Sequence, residues 1–256
     1  MILLCCTLVS CKTAPQEPIE EEIPLTESKP IDIEDAVDYL APSDLSDSPA
    51  GTIVDDDRIL FDELPEFFYA SEISDEVKER IWNISYKEND DISLDELRYL
   101  RLLHWGFDGE THIGELIVNE SISDDVLEIM YELYRNNYFI EKMILIDEYG
   151  GDDELSMQDN NTSAFNYRKK IGQNSLSNHS LGLAIDINPL YNPYVVKRAN
   201  GELSFAPSNS GDYIDRDADF SYKLDNDDFC VQLFKEYGFS WGGDWRYSKD
   251  YQHFEK

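Results

Sequence analysis

In the stretch SNHSLGLAIDINP, Ser177 to Pro189, a histidine precedes an aspartate by seven residues, with Gly182 and Ala184 between them. Residues seven apart in a regular strand point to opposite faces. If His179 and Asp186 are to face one point, the chain must turn at Ser180 to Gly182, and glycine suits such a turn. The C-terminal stretch WGGDWRYSKDYQHFEK adds Asp250 three residues before His253. The fold therefore has to carry two distant segments to one place.

Two histidines and a carboxylate are a donor set for catalytic zinc, which takes three protein ligands and leaves the fourth position to water. His179, Asp186 and His253 are the candidate ligands. A zinc-bound water needs a base for its proton, and Asp250, tethered three residues from a ligand, fits that role. A cation is also wanted, to stabilise an oxyanion or to grip a substrate carboxylate. Arg168 in NNTSAFNYRKK is the candidate, with Ser177, Tyr167 and Asn166 expected to line the same pocket; Arg216 in DYIDR is a rival cation. Trp241, Gly242, Gly243 and Trp245 form either a substrate wall or packing around a tight turn. His104 and His112 lie outside both segments and read as ordinary strand or loop histidines.

His179-x-x-Gly182-x-Ala184-x-Asp186, preceded by Ser177, resembles the Ser-x-His-x-x-Gly-x-Ala-x-Asp signature of the zinc D-alanyl-D-alanine carboxypeptidases of the VanX and VanY type. That family also includes L-alanyl-D-glutamate endopeptidases. The tail WGGDW…DYQHFE is similar to the second signature of the VanY-like and endolysin-like branch, and the resemblance covers roughly Trp105 to Lys256. It implies that His179, Asp186 and His253 bind zinc, that Asp250 is the catalytic acid/base and that Arg168 engages the substrate. It further implies an α+β fold with a central antiparallel sheet, shared with the hedgehog signalling domain. The expected activity is trimming of peptidoglycan stem peptides by a monomer, as a D-alanyl-D-alanine carboxypeptidase. The alternatives are an L-alanyl-D-glutamate endopeptidase and a non-catalytic zinc-containing module.

The rest of the chain gives the setting. With 54 acidic against 21 basic residues, the formal net charge of -33 repels phosphate backbones and sets nucleic acid aside as a partner. The start, MILLCCTLVSCK, is too short and apolar a run to span a bilayer. Residues 1–11 resemble a lipoprotein signal ending in a lipobox, with Cys11 as the lipidated residue; a cleaved signal or a misplaced start codon are the alternatives. The expected location is the bacterial cell envelope, held to the membrane by that lipid. Residues 12–57 carry fourteen acidic residues against Lys12 and Lys29, with six prolines. Such a stretch reads as a disordered tether.

A helical lead-in over 58–104 and a zinc peptidase domain over 105–256 are expected to follow. SDEVKERIWNI, capped by Ser74, and SLDELRYLRLL, with a Ser93…Glu96 capping box, both read as helices. HIGELIVN, KMILID and GLAIDIN read as strands. Ser123 to Asn137 reads as an amphipathic helix, and DDFCVQLFKEYGF as a helix closed by Gly238 that buries Cys230. Strands and helices in mixed order, without regular βαβ alternation, indicate α+β.

Overall fold

The computed structural model describes residues 38–46, 48–169 and 175–256. The signal over 1–11, Cys11 and the tether as far as residue 37 lie outside them. In chain order the elements are α1 (Pro42–Ser46), β1 (Ile53–Val54), β2 (Tyr69–Ser71), α2 (Asp75–Ile81), β3 (Leu97–Trp105), β4 (Thr111–Asn119), α3 (Glu120–Arg135) and α4 (Asp153–Gln158). Then come β5 (Ala184–Asp186), β6 (Tyr194–Lys197), β7 (Leu203–Ala206), α5 (Phe229–Glu236), β8 (Ser240–Trp241), β9 (Ser248–Asp250) and β10 (His253–Glu255). The α+β class holds. In place of one central sheet, the described residues form three antiparallel sheets, ordered β1-β4-β3-β2, β5-β10-β8 and β7-β6-β9.

Three expectations are corrected. The tether does not extend to residue 57: Leu45 of α1 and Val54 of β1 are buried, and β1 pairs with β4 at Ile53↔His112. Apolar side chains spaced among the acids find the core there, which composition averaged over the whole stretch conceals. SLDELRYLRLL is a strand. Its capping box does form, but it closes only one 3₁₀ turn over Leu94–Glu96. From Leu97 the chain enters β3, which pairs with β4 over nine residues and buries Leu97, Leu100, Leu102 and Leu103. Ladder pairing and two-sided burial outweigh a helix-compatible composition. A boundary at 105 would cut this hairpin, so residues 58–104 belong to the same core as the motif segments.

The third correction is KMILID, which is buried but not a strand. Met143 O accepts from Glu115 N at 3.0 Å, and the Asn161 side chain bonds both Ile144 N and Ile144 O, at 2.9 and 3.0 Å. A side-chain amide thus satisfies backbone groups that a neighbouring strand would otherwise take. A 3₁₀ turn over Ile146–Tyr149 follows.

The helices behave as their caps and spacing require. Ser74 Oγ accepts from Val77 N at the start of α2, and Asn119 caps α3, which begins at Glu120, three residues before the expected Ser123. The inner stripe of α3, Val126, Ile129, Met130 and Leu133, packs in the core that also holds Leu100 and Leu102 of β3 and Phe254 of β10. Phe254 is fully buried and stacks on Phe234 of α5 with ring centroids 4.2 Å apart. Burial of one such ring contributes about 2–3 kcal/mol. This packing fixes β10, and β10 builds the site.

Candidate metal centre and cleft

The strand β10 pairs with β5 in the register His253↔Asp186, Phe254↔Ile185, Glu255↔Ala184. Side chains alternate along a strand, so Phe254 and Ile185 enter the core while His253 and Asp186 stand side by side on the opposite face. His179 reaches them from a 3₁₀ turn over Asn178–Leu181, closed by Gly182 at φ 67°. The turn expected between Ser180 and Gly182 is therefore present, and only glycine fits there. A Cβ on Gly182 would lie 2.5 Å from Asn119 N, whose N–H donates to Gly182 O at 2.8 Å.

The three side chains converge. His179 Nε2 lies 3.2 Å from His253 Nδ1 and 3.3 Å from an Asp186 oxygen, and His253 Nδ1 lies 3.0 Å from the other Asp186 oxygen. One ligand atom from each falls within 4.8 Å of the others, and all three residues are buried. Each ring is held from behind. Nδ1 of His179 meets Ala164 O at 2.5 Å, and Nε2 of His253 meets Glu255 Oε2 at 3.0 Å, which Asn178 Nδ2 also reaches at 2.7 Å. Partners of this kind set the tautomer and aim of metal-binding imidazoles. With those nitrogens as N–H donors, the two facing nitrogens present lone pairs to each other beside a carboxylate. Three electron-rich atoms crowded at one point fit a cation between them.

The electrostatics follow from this crowding. Burial pushes Asp186 up, but the charges and hydrogen bonds of His179 and His253 hold it well below the usual carboxylate range. Burial pushes His253 down, while hydrogen bonds to Asp186 and Glu255 and the charges of Asp186 and Asp250 lift it to about 10, so a proton on Nδ1 and a cation compete for the same place. Asp250 is raised by burial; the charge of His253 opposes this and that of Asp186 adds to it, leaving it at about 6.

These residues line a cleft of about 600 Å³. Asp250, Arg168 and Ser177 line it together with His179, Asp186 and His253. Arg168 makes a close ion pair with Asp153. Asn166 and Tyr167 are not in the lining: Asn166 Nδ2 donates to Gly151 O and Asp153 Oδ1, and Tyr167 OH bonds Asp91 at 2.7 Å. Both precede Arg168: alternation sends the adjacent Tyr167 to the other side, whereas Asn166, two residues before Arg168, shares its side and is held by the same Asp153 carboxylate without reaching the cleft lining. Arg216 is a structural clamp. Its guanidinium donates to three backbone carbonyls and Asn192 Oδ1 and lies over the Tyr251 ring, and burial lowers it to about 10.

In the tail, Trp241 is buried and donates to Tyr251 O at 2.8 Å, so it packs, whereas Trp245 lines the cleft near His253. Gly242 backs onto Asp250, where a Cβ would lie 2.5 Å from Asp250 O. His104 and His112 pair across the β3–β4 hairpin with stacked rings. Sequence reasoning missed Glu255. Strand alternation from His253 was the available signal, because residues two apart share a face.

Residues 171–256 match the family model described as D-alanyl-D-alanine carboxypeptidase. No curated protein and no solved structure matches the chain. The matched span contains both motif segments and supports a peptidase of a family whose members are zinc enzymes. It begins after Arg168, so the upstream part of the resemblance lies outside it.

Proposed function

We propose that this chain is a zinc-dependent metallopeptidase that hydrolyses peptidoglycan stem peptides, acting as a D-alanyl-D-alanine carboxypeptidase. The observation that carries the reading is the convergence of His179, Asp186 and His253 beside Asp250 in one cleft. When bound there, zinc supplies polarisation of the scissile carbonyl and lowers the pKa of a water. Ala164 O and Glu255 hold the two imidazoles in place. Asp250, raised to about 6, is ionised at neutral pH yet more basic than an exposed aspartate. It takes the proton of the attacking water and returns it to the leaving amine. Ser177 and Arg168 form the wall beside the ligands. Export to the bacterial envelope, anchorage through a lipid on Cys11 and action as a monomer complete the proposal.

Cleavage of the L-alanyl-D-glutamate bond is a second reading, favoured by the Arg168–Asp153 pair, which occupies the cation that a terminal carboxylate would need. Zinc-loaded full-length protein should release D-alanine from a stem pentapeptide; freeing the L-alanine end instead would select the endopeptidase. Asp250→Asn should keep zinc and lose turnover by 10²-fold or more. Unchanged turnover with zinc bound would refute the role of Asp250.

A further inference from the structure

The sheet β7-β6-β9 turns one face to the cleft. Tyr194 pairs with Asp250 and Ala206, and Val196 pairs with Ser248 and Ser204; all six line the cavity. Two residues past Val196, on the same face by strand alternation, Arg198 lines it too. There the hairpin closes, with Arg198 N donating to Glu202 O at 2.8 Å. A continuous wall thus runs along β6 from the proposed acid/base to a guanidinium.

We propose that Arg198 forms an anion subsite for a peptide carboxylate held away from the scissile bond; this rests on the metallopeptidase reading above. Charge is the first argument. The cleft holds Asp153, Asp186, Asp250 and Glu255, and an acidic substrate entering it needs a cation. Arg168 is engaged by Asp153. Among the described residues Arg198 pairs with no carboxylate; its Nη2 donates to Ser204 Oγ at 3.0 Å, and other guanidinium N–H groups remain for a ligand. The guanidinium fork suits bidentate capture of a carboxylate.

Distance is the second argument. Arg198 stands four positions after Tyr194, which lies beside Asp250, and a strand rises by about 3.4 Å per residue, so the subsite lies about 14 Å along β6 from the acid/base. An extended peptide covers that distance in about four residues. The ligand is therefore an acidic peptide with a carboxylate three to four residues from the bond cut.

The test compares two probes on the zinc-loaded full chain: L-Ala-γ-D-Glu-L-Lys-D-Ala-D-Ala and the same peptide with the glutamate carboxylate amidated. The wild type should show a KM about tenfold lower for the acid than for the amide. Arg198→Ala should close that gap, and Arg198→Lys should restore part of it. A wild type that treats the two alike, or an Arg198→Ala variant that still discriminates, would overturn the subsite while leaving the peptidase intact. Zinc bound with neither peptide cut would instead overturn the peptidase reading, and the subsite with it.

Discussion

Gly242→Ala is a one-methyl perturbation behind Asp250. The added carbon would stand 2.5 Å from Asp250 O and 2.8 Å from Asp250 Cβ, whereas ordinary contact begins at 3.4 Å. The carbonyl is backbone and cannot swing aside, so β9 must retreat by about 0.9 Å, taking the carboxylate with it. Misplacement of a reacting group by about 1 Å costs roughly 10²-fold in rate, or about 2.7 kcal/mol of transition-state stabilisation. The proposed ligands stand on β5, β10 and the turn at Asn178–Leu181, so zinc content should be unchanged. Overpacking should cost about 1–3 kcal/mol of stability, which a urea titration reads separately. The assay is zinc content together with kcat on the stem pentapeptide. Turnover within a factor of two of wild type, with zinc present, would refute the positioning argument. Loss of zinc in step with turnover would refute it equally, by moving the effect onto the ligands.

Two further predictions concern the scaffold. His104 is buried, its Nδ1 meets Ile140 O at 2.8 Å, and burial lowers it from the ordinary 6.5 to about 4. Between those values the unfolded chain takes up a proton that the folded chain refuses, so stability falls as pH drops from 6.5 to 4, by about 3 kcal/mol in all. Urea titrations across that range should show a shallower fall in His104→Gln, and equal slopes would contradict the account. Arg80→Ala should cost up to about 3 kcal/mol, because Glu115, buried and bound by Arg80 at 2.7 and 2.9 Å, would keep its charge with only the more distant Arg101, at 3.9 Å, opposite it. Combining it with Glu115→Gln should recover part of the loss; a double variant as weak as the single one would exclude that cause.

The site was more legible in the sequence than the scaffold. His179, Asp186, Asp250 and His253, which the structure gathers in one cleft, could be singled out because a metal centre would need fixed residue types at spacings that few other arrangements demand. The neighbours were less readable. Tyr167 points away from Arg168, Asn166 stops at Asp153 short of the cleft, and Arg198 sits on a hairpin whose approach to the cleft depends on pairing with β9. Among the elements, α3 and α5 announced themselves by apolar spacing. In β3 a genuine capping box invited a helix, and only the nine-residue ladder to β4 decided otherwise. The run at Met143 to Ile146 misled for the opposite reason: its burial was plain, but Ile144 at its centre pairs with the side chain of Asn161 in place of a neighbouring strand.

The alternation in β10 has a consequence for how the tail can vary. Its side chains face cleft, core and cleft in turn across His253, Phe254 and Glu255. Dropping or adding a single residue just before them would turn the ribbon over, driving an imidazole into oil and a benzyl group into the pocket. Length changes in this segment should therefore be tolerated only in even steps, or with a bulge that absorbs the odd one.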